Sequence, residues 1–92
     1  MNVFHSKQYT KSLKKVLESG KIKITEIDTV VDSSIISRKK LPVKYKDHPL
    51  KGEYSGYREC HIRPDILLIY KIDQQAILLV LIDIGSHSYL FS

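Results

Sequence analysis

The sequence predicts an α+β fold, with two N-terminal helices packed on one face of an antiparallel β-sheet. Three observations point to it. Before position 40 apolar residues recur with a helical period. After position 56 they form three strand-length runs. The turns between those runs are short, so neighbouring strands must be antiparallel. Helices first and strands last is an α+β order rather than the alternation of an α/β sheet. A chain of 92 residues suits one domain, 1–92, with one modest core.

The elements follow in order. Asn2 to Phe4 is a short strand. Ser6 caps a helix that runs to about Ser19. Tyr9, Leu13, Val16 and Leu17 form its inner stripe, and Gly20 stops it. A second helix is expected over Ile22 to Lys39, with Ile24, Ile27, Val30, Val31 and Ile35 facing inward. Its many β-branched residues oppose helix formation, yet period 3.6 fits better than period 2. Lys40 to Gly56 holds Pro42, Pro49 and two glycines and reads as a long loop. Three strands complete the chain: Tyr57–Arg63, Ile66–Asp73 and Ala76–Ile84. Arg63-Pro64-Asp65 and Asp73-Gln74-Gln75 are the turns of a meander.

Composition excludes several classes. No stretch of about 18 apolar residues occurs, so no membrane span is expected, and an N-terminus without an apolar signal core points to the cytosol. Cys60, the only cysteine, fits a reducing compartment and a small buried hydrophobe. The net charge is +5 and uneven: residues 1–51 carry a net +7, residues 52–92 a net −2. A basic half suits a solvated surface, a polyanion or an acidic protein partner, and charge alone does not choose among them.

The histidines are more informative. His5 sits at a helix start with no partner signal. His48 lies in the loop, His61 in the first meander strand and His87 just beyond the last. The meander gathers His61, the turn residue Asp65 and the segment Asp83 to His87 at one end of the sheet. First and third strands are about 10 Å apart, near enough to share a phosphate. Alternation would put Glu59, His61 and Arg63 on one polar face, with Cys60 and Ile62 on the other. Two imidazoles can give and take protons near neutral pH, which suits attack of an RNA 2′-hydroxyl on its phosphate. No HExxH or close histidine pair argues for zinc, and no GxSxG elbow argues for a serine hydrolase. From the residues alone, acid–base nuclease chemistry and a binding module both remain open.

The segments "YKDHPLKG", "GYRECHIRPDILLIYK" and "GSHSYLF" closely resemble the YafQ branch of the RelE/ParE toxin superfamily, in order and spacing from Leu41 to Phe91. The resemblance implies a compact, RelE-like and microbial-RNase-like fold. It also implies a bacterial type II toxin that enters the ribosomal A site and cuts mRNA without metal or other cofactor. A cognate antitoxin would neutralise it, and operator DNA would be reached only through the antitoxin complex. By position the motif histidines are His48, His61 and His87, with Asp65 the motif aspartate and Glu59 a further acidic position. Phe91 matches an aromatic expected against mRNA, and equally suits an apolar tail on the sheet. Arg58 alternates away from His61 and is expected to be structural or antitoxin-facing. Lys44, Lys46, Lys51 and Arg63, with Lys39 and Lys40, are expected to face RNA.

One position departs from the pattern. Where YafQ-like toxins usually carry arginine, two residues before the glycine of the G-S/T-H motif, "LIDIGSH" has Asp83. An anion there would oppose the charge of the reacting phosphate. Lys44, Lys46 or Arg63 would then supply the cation, or Asp83 would pair with a base elsewhere. Otherwise the chain would be a catalytically weakened toxin acting mainly as an antitoxin-binding co-repressor. A ParE-like gyrase poison is a weaker alternative, since it needs no acid–base pair.

Overall fold

The computed structural model describes residues 2–32 and 41–91. Five strands and three helices follow one another as β1 Asn2–His5, α1 Lys7–Glu18, α2 Ile24–Val30, β2 His48–Pro49, β3 Arg58–Arg63, β4 Ile66–Asp73, β5 Leu78–Gly85 and α3 His87–Phe91. One-turn 3-10 helices at Val43–Tyr45 and Gly52–Tyr54 flank β2. The sheet order is β1-β5-β4-β3-β2. The expected meander is present, but the sheet is mixed rather than antiparallel, because β1 pairs with β5 in parallel. A parallel neighbour needs a long crossover, and here everything between β1 and β5 supplies it.

Helix α1 forms as its pattern predicts. Ser6 accepts the Tyr9 N–H with its hydroxyl oxygen at 2.9 Å, satisfying one orphan donor of the first turn. Tyr9 and Ser12 are buried, and Leu13, Val16 and Leu17 pack against the core. Helix α2 is shorter than expected at its start: it begins at Ile24, where the Glu26 carboxylate accepts the Lys23 N–H at 2.9 Å. Ile27, Val30 and Val31 face the core, whereas Ile24 is exposed. The expected continuation through Ile35 to Lys39 lies outside the described residues.

Helices α1 and α2 cover one sheet face, where Cys60, Leu68, Leu79, Leu81 and Ile84 are fully or almost fully buried. Two bulges change the simple alternation. In β5 the pairing passes from Ile69↔Asp83 to Tyr70↔Leu81, leaving Ile82 unpaired. Odd positions 79 and 81 therefore face the core before the bulge and even position 84 after it. The shift turns Asp83 away from the helices. The Ile82 carbonyl accepts the Ser6 hydroxyl at 2.7 Å. In β3 the shift lies between His61 and Arg63, so Arg63 pairs with the core residue Ile66. The expectation that Glu59, His61 and Arg63 share one face fails at Arg63 for this reason.

The last strand starts at Leu78 rather than Ala76. Asp73 Oδ1 accepts the N–H groups of Gln75 and Ala76, both at 3.1 Å, and holds Gln74–Ile77 in a turn. Ile77 closes that turn at φ 51°, a left-handed backbone costly for a β-branched residue.

Candidate active site

The site lies on the sheet face away from α1 and α2. The register places His48, Glu59, Ile69 and Asp83 in one row across β2, β3, β4 and β5. His61, Leu67 and Gly85 form the next row. Directly paired residues project to the same side, so histidines distant in sequence become neighbours. Glu59 Oε1 lies 3.2 Å from His61 Nε2 and 3.5 Å from His48 Nε2. Glu59 is buried, with 5% of its surface exposed, so both contacts form under reduced solvent screening. One carboxylate oxygen thus faces two imidazoles.

The residue before His48 fixes its strand from the other face. Asp47 Oδ2 accepts from Arg58 Nη2 at 2.8 Å, and Asp47 Oδ1 accepts from the hydroxyl of the buried Tyr70. Arg58 is therefore a structural partner of the β2 segment. Burial first, and then the bond to Asp47, push the Tyr70 hydroxyl well above its ordinary range. Cys60, between Glu59 and His61, is wholly buried, and burial pushes its thiol up to about 12, with Asp47 and Glu59 adding to the shift. It is a core side chain and not a nucleophile at neutral pH.

His87 opens α3, immediately after the row of His61. Its ring is exposed and meets Phe91 tilted at 45°, with 5.0 Å between centroids. Phe91 in turn meets Tyr54 edge-on at 5.4 Å. Tyr89 pins this short helix to α1, its hydroxyl 2.9 Å from Ser12 Oγ and accepting from Gln8 Nε2 at 3.2 Å. Sequence periodicity could not reveal a five-residue helix, although Ser86 accepting the Tyr89 N–H at 3.1 Å is an ordinary cap.

The remaining expected site residues divide into two groups. Lys44, Lys46 and Arg63 line one open cavity of about 500 Å³ that His61 also borders. Lys44 Nζ sits 5.1 Å from the Tyr45 ring centre, and Arg63 is ion-paired with Glu26 at 2.7 Å. Asp65 is exposed in the β3–β4 turn, and Lys51 is exposed beside the Gly52–Tyr54 turn. Among the described residues no hydrogen bond or ion pair joins Asp65 to a histidine. The carboxylate in contact with histidines among the described residues is Glu59. Asp83 accepts its neighbour Ile84 N–H at 2.9 Å, and among the described residues it pairs with no base. Lys39 and Lys40 lie outside the described residues.

No close histidine pair is visible in the sequence, yet folding makes one. The donor atoms of His48, Glu59 and His61 lie within 4.8 Å of one another, a nitrogen–nitrogen–oxygen set that could hold a transition metal.

The family model for the bacterial toxin of type II toxin–antitoxin systems, YafQ, matches residues 1–92. The mRNA interferase toxin YafQ of Escherichia coli K12 is 36% identical over 90 residues, 98% of this chain and 95% of that one. A metal-bound toxin from Helicobacter pylori is 41% identical, with a TM-score of 0.88 and 99% of both chains covered. YafQ in the E. coli DinJ–YafQ toxin–antitoxin complex is 35% identical, with a TM-score of 0.86, over 99% of this chain and 97% of that one.

Proposed function

The chain belongs to the YafQ toxin family of type II toxin–antitoxin systems, and from that premise we propose that it is an mRNA endoribonuclease acting on ribosome-bound message in the bacterial cytoplasm. The observation that supports this most is the contact of His48 and His61 with one oxygen of buried Glu59. A carboxylate between two imidazoles holds their ring orientation and balances an imidazolium, which acid–base cleavage requires. His61 and His87 move the protons, and His48 is a further acid–base or phosphate-binding group. Glu59 orients the pair. Asp65, on the exposed turn, would act only against bound substrate.

The reaction needs positive charge at the phosphate, and Asp83 supplies none. Lys44, Lys46 and Arg63 share a cavity bordered by His61, so the cation comes from that side. Phe91, with His87 and Tyr54, gives an aromatic surface on which a base can stack. The basic N-terminal half faces ribosomal RNA. A cognate antitoxin neutralises the toxin, and operator DNA is bound only through that complex. The catalytic steps use no metal; a metal on His48, Glu59 and His61 would occupy the nitrogens that must exchange protons.

A second reading, a weakened toxin acting mainly as an antitoxin-binding co-repressor, is favoured by Asp83 alone. Expression separates the two. His48→Ala, His61→Ala and His87→Ala should each relieve growth arrest and lower cleavage of ribosome-bound mRNA by about 10²–10⁴-fold, the usual worth of a positioned acid or base. Three variants as toxic as the parent would remove the nuclease reading.

A further inference from the structure

The cavity beside His61 contains three cations and one carboxylate, Glu26. Arg63 Nε and Nη2 both reach Glu26 Oε1, at 2.8 and 2.7 Å. The other carboxylate oxygen accepts the Lys23 N–H. A guanidinium that points two N–H groups at an anionic oxygen is arranged to hold a phosphate equally well. We propose that Glu26 is an anionic placeholder in a phosphate subsite, and that the phosphodiester next to the one being cut displaces it from Arg63. This deepens the nuclease reading and rests on it.

Several observations support displacement over a fixed strut. The side chains of Arg63 and Glu26 are 48% and 32% exposed, and a pair so open to water is screened and contributes little to stability. An incoming phosphate therefore has little to overcome. It also comes within the attraction of Lys44 and Lys46, which Glu26 does not engage among the described contacts and which the bordering phosphate at His61 shares. Lys46 lines the cavity from a left-handed backbone at φ 49°, a conformation disfavoured for a non-glycine residue and frequent at ligand sites. The Lys23 N–H foremost, and Arg63 after it, hold the Glu26 carboxyl below the usual carboxylate range. Glu26 thus stays charged near neutral pH, and a competing anion rather than a proton opens the pair. The β3 bulge is what makes the arrangement possible, because it turns Arg63 toward α2 while His61 stays on the site face.

The test uses a trinucleotide whose first and second sugars are both 2′-deoxy, so that it binds but neither linkage can be cut, followed through the Arg63 Nε–Hε resonance. The resonance should move on titration. Glu26→Gln keeps a side-chain acceptor for the helix start and should tighten binding by about two- to fivefold, the equivalent of an exposed ion pair. Arg63→Ala should abolish the gain, and Arg63→Lys should keep only part of it. On ribosomes Glu26→Gln should lower KM with little change in kcat. Equal affinity of Glu26→Gln and parent, or an unmoved Arg63 resonance, would overturn the placeholder. Because the probe is never cleaved, binding without histidine-dependent cutting would fault the nuclease reading and leave the subsite standing.

Discussion

At the scale of single residues, Asp83 is the most informative position. Its side chain faces the site only because Ile82 bulges out of the β5 ladder; without that extra residue position 83 would point into the helices. It lies in the row of Glu59, two strands away, or roughly 10 Å. Two carboxylates on that face disfavour an approaching phosphate. Asp83→Arg reverses one of them and should raise cleavage of ribosome-bound mRNA by at least about tenfold, given what one well-placed cationic donor contributes. An unchanged rate would show that the cavity cations already suffice. Glu59 teaches a related lesson. Its acidity is legible in the sequence, but its contact with two histidines depends on the register of β2 against β3, which a two-residue strand does not announce.

At the scale of elements, the C-terminal turn shows how closely helix and sheet are fitted. A Cβ on Gly85 would lie 2.7 Å from Tyr89 Cδ2 and 3.3 Å from Tyr89 Cγ. Gly85→Ala should therefore push the Tyr89 ring from its place beside Ser12 and shift His87 and Phe91 with it. We expect a loss of about 1–3 kcal/mol in urea unfolding, as for overpacked sites, with a parallel fall in cleavage. Stability and activity both unchanged would mean that α3 is held by other contacts. The same scale shows what sequence can carry. Helix α1 and the three-strand meander were legible because their apolar periods are long and their ends carry Ser6, Pro64 and Asp73. Strand β2 and helix α3 were not, since two and five residues are too few for a period to show. Helix α2 is expected too early, because Ile22 is buried without being helical. The parallel place of β1 has no local signal at all: it depends on a partner at the far end of the chain.

At the scale of the whole molecule, Ser6 joins the two ends of the fold. Its oxygen accepts from Tyr9 N–H, its hydroxyl donates to the Ile82 carbonyl, and its own N–H reaches the Leu81 carbonyl at 3.0 Å. One side chain therefore caps α1 and satisfies the bulge that sets the direction of Asp83. Ser6→Ala should cost about 1–2 kcal/mol in chemical denaturation, the worth of a helix cap with a second hydrogen bond. A smaller loss would mean that water replaces both contacts. No helix among the described residues is long and apolar enough to cross a membrane.

The parallel β1–β5 pairing has a kinetic consequence. The Ser6–Ile82 bond spans 76 residues, whereas each meander turn joins neighbours only a few residues apart. Closing a long loop is unfavourable until its contacts repay it, so the meander nucleates first and β1 docks late. The strand that precedes the meander in the chain is thus the last of the sheet's long strands to find its place. In the interval β5 presents an open edge rich in leucine, to which a second unfolded chain could add as readily as the protein's own N-terminus.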